Sequence, residues 1–176
     1  ASERWRSLLG ATGNMGPERE SLMHIRLNYK KLGFFASLSW SRQVQGINSD
    51  LPDGKHFLMW DFDGLECSEV FDTLRDVQRY FMLPAITVMQ SSDSRHHHAY
   101  CFDGNSFPRA QYILNSTPNV DPMYLKFGAI RKYFTLRITD KKIGPITKCG
   151  VLPSAVIESV DPLEANHMET YWTKRL

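Results

Sequence analysis

Two carboxylates, one residue apart at the end of an apolar run, are the residues of this chain best suited to chemistry. The run is Phe57-Leu58-Met59-Trp60, and it leads into Asp61-Phe62-Asp63-Gly64. A strand puts alternate side chains on one face. Phe57, Met59, Asp61 and Asp63 then point one way, and Leu58, Trp60 and Phe62 the other. Like charges this close repel each other. A divalent cation relieves the repulsion, and oxygen ligands suit Mg²⁺ or Mn²⁺. The same residues also fit a plain strand entering an Asp-Gly turn, so partners elsewhere in the chain must decide.

Two further segments offer partners. In Ser94-Arg95-His96-His97-His98-Ala99-Tyr100-Cys101-Phe102, strand parity groups His96, His98, Tyr100 and Phe102 on one face. His97, Ala99 and Cys101 share the other, and their smaller size suits packing against helices, which leaves the His96/His98 face open. Surface histidines on a polar strand are the plainer alternative. In Tyr133-Phe134-Thr135-Leu136-Arg137-Ile138-Thr139-Asp140-Lys141-Lys142, burying Leu136 and Ile138 turns Arg137 to the open face. A planar guanidinium there suits a phosphate, although charge runs are more often solvated strand ends. Carboxylates, imidazoles and a guanidinium converging on a triphosphate imply in-line attack of a 3′-hydroxyl on an α-phosphate, supported by two metals.

The elements that must position these residues follow from periodicity. Residues 56–63 read as a strand and 68–81 as a helix with Val70, Phe71, Leu74, Val77 and Phe81 at helical spacing, capped by Ser68. Residues 85–89 and 95–102 read as strands, 107–114 as a short helix, and 121–131 as a helix with Asp121 at the cap and Pro122 in its first turn. Residues 133–139 alternate as a strand. Strand, helix, strand, strand, helix, strand is the split βαβ arrangement: an α+β, RRM-like antiparallel sheet with helices on one face. Upstream, residues 5–9 read as a turn of helix, 18–32 as an amphipathic helix, 34–40 as a strand and 42–54 as a loop. Downstream, 141–150 reads as a loop, 151–160 holds one more strand, and the tail has no clear pattern.

With the motifs in place, the chain resembles the archaeo-eukaryotic primase superfamily, the primase-polymerases. Asp61-Phe62-Asp63 is similar to the first motif of that family, Ser94-Arg95-His96 to its Ser-x-His motif, and the strand from Tyr133 to Lys141 to its third motif. The third resembles above all the versions in replication proteins of phages, plasmids and mobile elements, as does the preceding Thr117-Pro118-Asn119-Val120-Asp121-Pro122. The resemblance covers residues 55–142. It implies a template-dependent nucleotidyltransferase, a DNA primase or DNA polymerase, acting on a single-stranded DNA template with ribo- or deoxyribonucleoside triphosphates. Asp61 and Asp63 would hold catalytic Mg²⁺ or Mn²⁺, with Asp140 in the place of a third acidic ligand. His96 or His98 would contact the incoming phosphates, with Ser94, Arg95, Arg137 and Lys142 at the nucleotide. Strand parity sets Asp140 on the Leu136/Ile138 side unless the strand has ended or a bulge re-aims it. A helicase domain or subunit would accompany the domain in a longer protein, inside a prokaryotic host cell or wherever the replicon resides.

Two other functions fit parts of the chain. A rolling-circle nicking nuclease of the His-hydrophobic-His type would use His96 and His98 for metal and Tyr112, Tyr124, Tyr133 or Tyr171 as nucleophile, but it leaves Asp61 and Asp63 without a role. A non-enzymatic RNA-binding module would stack bases on Phe57, Tyr100 and Phe102, against the repulsion of the carboxylates.

Composition sets the outer bounds. The 176 residues are 42% hydrophobic and 23% charged, with a net charge of +2, as expected of one globular catalytic domain. It subdivides into an N-terminal region 1–54, a core 55–142 and an extension 143–176. Cys67, Cys101 and Cys149 form no CxxC pair, which suggests neither a zinc knuckle nor a disulfide framework. No apolar run nears the roughly 20 residues of a membrane span. The first residue is Ala rather than Met, as in a domain cut from a longer chain.

Overall fold

A computed structural model of the chain describes residues 23–29, 32–38, 41–91, 94–138, 146–165 and 168–174. Its strands are β1 (Met23–Tyr29), β2 (Leu32–Leu38), β3 (Ser41–Asn48), β4 (His56–Asp63), β5 (Ile86–Gln90), β6 (His96–Asn105), β7 (Thr135–Arg137), β8 (Thr147–Leu152) and β9 (Met168–Lys174). Its helices are α1 (Cys67–Phe81), α2 (Phe107–Ser116) and α3 (Pro122–Arg131). The fold is α+β, and every register given is antiparallel. The chain divides into two compact units, residues 1–44 with 170–176, and residues 45–169.

In the first unit β1 and β2 pair from Met23↔Leu38 to Tyr29↔Leu32. This corrects the helix expected over 18–32 for the residues described there. Met23, Ile25, Leu27 and Tyr29 alternate with His24, Arg26 and Asn28, a period of two that the helical reading passed over. The helical turn expected at 5–9 lies outside the described residues. β3 corrects part of the loop expected over 42–54. Its polar composition hid Val44 and Ile47, both buried.

The second unit is built on a four-stranded sheet of order β4-β6-β5-β8. β4 is apolar on both faces because both are covered. Phe57, Leu58, Met59, Trp60 and Phe62 are all essentially inaccessible. Each such side chain contributes roughly 1.5–3 kcal/mol by its burial. The face expected to be open along its whole length is therefore open only at the Asp61–Asp63 end. On one side Trp60 Nε1 donates to Thr117 Oγ1 at 3.0 Å, just past α2. On the other, Phe57 stacks on Phe102 with ring centroids 5.6 Å apart.

The split βαβ order is kept as far as β6, and the last strand departs from it. β7 pairs with β3, through Gly46↔Arg137, Ile47↔Leu136 and Asn48↔Thr135, and not with β4. The outer edge of β4 is already taken. Phe57 N donates to Ser49 O, Asp121 N to Asp61 O, and Val120 bridges Phe62. The Tyr124 hydroxyl of α3 donates to Met59 O at 2.9 Å. With those backbone groups satisfied, β7 finds its ladder elsewhere. Phe134, just before β7, lies against α3 at Gly128, where a Cβ would collide with its ring.

Local signals set the helix starts. Asp121 caps α3 by accepting from Met123 N and Tyr124 N, as expected. α1 begins one residue earlier than expected. Glu66 and Glu69 form a reciprocal capping box, so Cys67 and not a capping Ser68 opens the helix. β8 takes residues 147–150 from the expected loop and ends at Leu152, so the strand expected over 151–160 is confined to its first two residues. β9 occupies part of the tail.

Candidate active site

Where β4 and β6 end together, the ladder sets Asp61 opposite His98 and Asp63 opposite His96. The side chains follow the register. His98 Nε2 lies 3.6 Å from Asp61 Oδ1, and His96 Nε2 lies 3.5 Å from Asp63 Oδ1. Both separations exceed a good hydrogen bond, so these are through-space pairings. The strands thus bring together the four residues expected to act, Asp61, Asp63, His96 and His98.

The two pairs differ in depth. The side chains of Asp63 and His96 are 54% and 33% exposed, and those of Asp61 and His98 are 24% and 6% exposed. His98, expected on an open face, is in fact nearly enclosed, because Tyr100 and the residues around it fill that side. Tyr100 Oη lies 3.4 Å from His98 Nδ1. Burial first, and the Asp61 charge second, raise the Tyr100 phenol well above its ordinary range. The phenol therefore stays protonated beside the His98 ring. Tyr124 is raised for the same reasons, burial before Asp61. Two neutral phenols thus flank the inner carboxylate from its buried side.

Past Asp63 the chain turns at Gly64, whose φ of +82° favours glycine. Gly64 N donates to Arg95 O at 2.7 Å. Arg95 Nε lies 3.4 Å from Glu66 Oε1. Ser94 is exposed in the turn before β6. The loops carrying Asp63 and His96 are thus tied together by backbone as well as by register.

Arg137 belongs to a strand that pairs with β3 and not with β4. It is half-buried on β7, opposite Gly46 of β3, so the parity that set it beside the carboxylates does not apply. Asp140 and Lys142 lie outside the described residues. Phe57, Tyr100 and Phe102 are buried, so these three rings do not form the open stacking platform expected for an RNA-binding module.

On the opposite face of β6, His97 is fully buried, as its parity required. Its imidazole and the thiols of Cys67 and Cys149 have donor atoms all within 4.8 Å of one another. Spacing gave no sign of this group, since its members come from a helix start, a strand and a strand bulge. Burial and the Cys67 side chain push the Cys149 thiol up to about 12. No helix among the described residues is long and apolar enough to cross a membrane.

No protein-family model matches the chain. No curated protein matches it. No solved structure matches it.

Proposed function

We propose that the chain is a template-dependent nucleotidyltransferase of the primase-polymerase type, with an RRM-like catalytic core, and that Asp61, Asp63, His96 and His98 form its reaction centre. The observation that carries this reading is the double cross-strand pairing of the two carboxylates with the two imidazoles at one sheet end.

The donor set fits a hard divalent cation. Two carboxylates lie at a solvent-reachable rim, neither held by a short hydrogen bond from its imidazole partner, and their oxygens are the ligands that Mg²⁺ and Mn²⁺ prefer. Asp61 and Asp63 would hold the cation, which when bound supplies charge neutralisation and activation of phosphate oxygens. His96, at the rim, has the reach to donate to a phosphate oxygen of the incoming nucleotide. His98, deeper and oriented by Tyr100, fixes the position of the Asp61 carboxylate. Tyr100 and Tyr124 exclude water behind Asp61 and leave Asp63 to face the substrate. Single-stranded DNA and a nucleoside triphosphate are the substrates this reading requires.

The test is extension of a labelled primer–template, and synthesis on bare single-stranded DNA, with Mg²⁺ or Mn²⁺. Template-dependent products that Asp63→Asn abolishes support the reading. A denaturation-resistant protein–DNA adduct, lost in one Tyr→Phe variant, would replace it with the nicking nuclease. Tyr124 is buried and donates its hydroxyl to Met59 O, which argues against it as a nucleophile.

A further inference from the structure

We infer that Cys67, His97 and Cys149 form a second metal site, selective for Zn²⁺, on the face of β6 opposite the carboxylates. The inference is independent of the nucleotidyltransferase reading. Its basis is the convergence of three elements. Cys67 is the first residue of α1, held there by the Glu66–Glu69 capping box. His97 projects from β6 with no exposure. Cys149 is the extra residue of a bulge in β8: Val88 pairs with Gly150 and Met89 with Lys148, leaving Cys149 unpaired between them. A bulge re-aims the side chain it carries. Here it brings a thiol towards the start of α1, and Phe71 of α1 rests against Gly150 next door.

The donor chemistry selects the ion. Two thiols and an imidazole suit Zn²⁺ and reject Mg²⁺ and Mn²⁺, which require oxygen. Two thiolates cancel the charge of Zn²⁺, so the filled site is neutral, as a part-buried location demands. Zn–S and Zn–N bonds of about 2.3 and 2.0 Å in a tetrahedron set the donors about 3.6–3.8 Å apart. The observed spread, within 4.8 Å, closes to this by side-chain adjustments of about 1 Å. Cys67 and Cys149 are both half-exposed, so a water molecule can reach the fourth position. A cation there would clamp the start of α1 and the β8 bulge onto the central residue of the His96–His98 run.

The 176-residue chain, reduced and stripped with chelator, is titrated with Co²⁺ alone and then with Zn²⁺ alone. The expected result is one equivalent of Co²⁺ with thiolate-to-cobalt charge transfer and the intense visible bands of tetrahedral cobalt, bleached by Zn²⁺. Cys67→Ser and Cys149→Ser should each weaken Co²⁺ binding at least tenfold and diminish the charge-transfer band. Asp61→Asn should leave that band intact, which separates this site from the carboxylates. Replacing buried His97 can unfold the chain, so the two cysteine variants carry the test, with circular dichroism checking their fold. Either of two results would overturn the inference. One is no cobalt uptake by the reduced chain. The other is uptake whose bands survive in the Cys67→Ser, Cys149→Ser double variant.

Discussion

Three consecutive histidines on β6 meet two different chemistries. His96 and His98 look across the ladder at carboxylates, 3.5 and 3.6 Å away. His97, between them, turns to the other face and meets two thiols. One strand therefore offers hard oxygen ligands on one side and soft sulfur ligands on the other. The first group opens to solvent at Asp63 and His96, where a substrate can enter. The second lies among α1, β6 and β8, where an ion would fasten elements together. Side-chain alternation alone separates the two, so a one-residue slip of β6 would exchange them.

Replacing the carboxylates tests one half of this contrast and has the largest expected effect. Asp61→Asn and Asp63→Asn each keep side-chain shape and remove one charge. Nucleotide incorporation should fall by about 10²–10³-fold or more, the scale on which a preorganised electrostatic group is missed. The thermal melt should move little. Full extension activity in both variants at saturating Mg²⁺ would show that the pairs are surface decoration.

The second comparison is between neighbours on the same strand. His97→Ala removes a fully buried ring and should cost about 2–4 kcal/mol in denaturant unfolding, measured in chelator so that metal does not contribute. His96→Ala, at the half-exposed rim, should cost under about 1 kcal/mol while impairing nucleotide use. If His96→Ala destabilises the chain as much as His97→Ala, the division of β6 into a site face and a packing face is wrong.

What the sequence revealed of this arrangement depended on how local the signal was. β4, β6 and α3 were legible because the apolar run ending in Asp61, the side-chain parity of the histidine strand and the Asp121-Pro122 start are each written within a few residues. Parity placed Asp61 with Asp63 and His96 with His98, but which carboxylate meets which imidazole is set by the register of β4 on β6. Three things were hidden. β1 carried a period-two pattern among charges dense enough to suggest a helix. The placement of Arg137 depended on which strand had a free edge, and that was settled by Ser49, Val120, Asp121 and Tyr124 occupying β4. Those are contacts between distant segments, which no window of sequence contains. The Cys67–His97–Cys149 group needed a β8 bulge and a helix starting at Cys67, neither of which the spacing of the cysteines announces.

Gly64 links the carboxylate strand to the helix that carries Cys67, so both faces depend on it. A Cβ there would meet nothing within 4 Å, but φ is +82°. Gly64→Ala should therefore cost only about 1–2 kcal/mol, through the backbone and not through a clash. Activity should fall further than stability, because the turn sets Asp63 and its tie to Arg95 O. A variant that loses stability yet extends primers normally would detach Gly64 from the site.

The smallest expected effect comes from a histidine at the far end of β4, where no site is proposed. His56 is buried, 3.2 Å from Ser49 Oγ through Nδ1, with its ring edge-on to Phe107 at 5.3 Å. Burial lowers its pKa from the ordinary 6.5, and the Asp50 charge opposes this more weakly. A lowered pKa means that the unfolded chain takes up the proton first as pH falls. The contribution of neutral His56 to stability is therefore complete above about pH 6.5. It is lost as pH drops from there towards the folded-state value, with a slope of at most about 1.4 kcal/mol per pH unit. His56→Gln has no such proton to take up. The difference in melting temperature between wild type and this variant should be constant above about pH 7 and should shift against the wild type below about pH 6. Parallel melting curves for wild type and His56→Gln across that range would show that burial does not govern the proton affinity of His56, and the picture of an enclosed far end of β4 would fail.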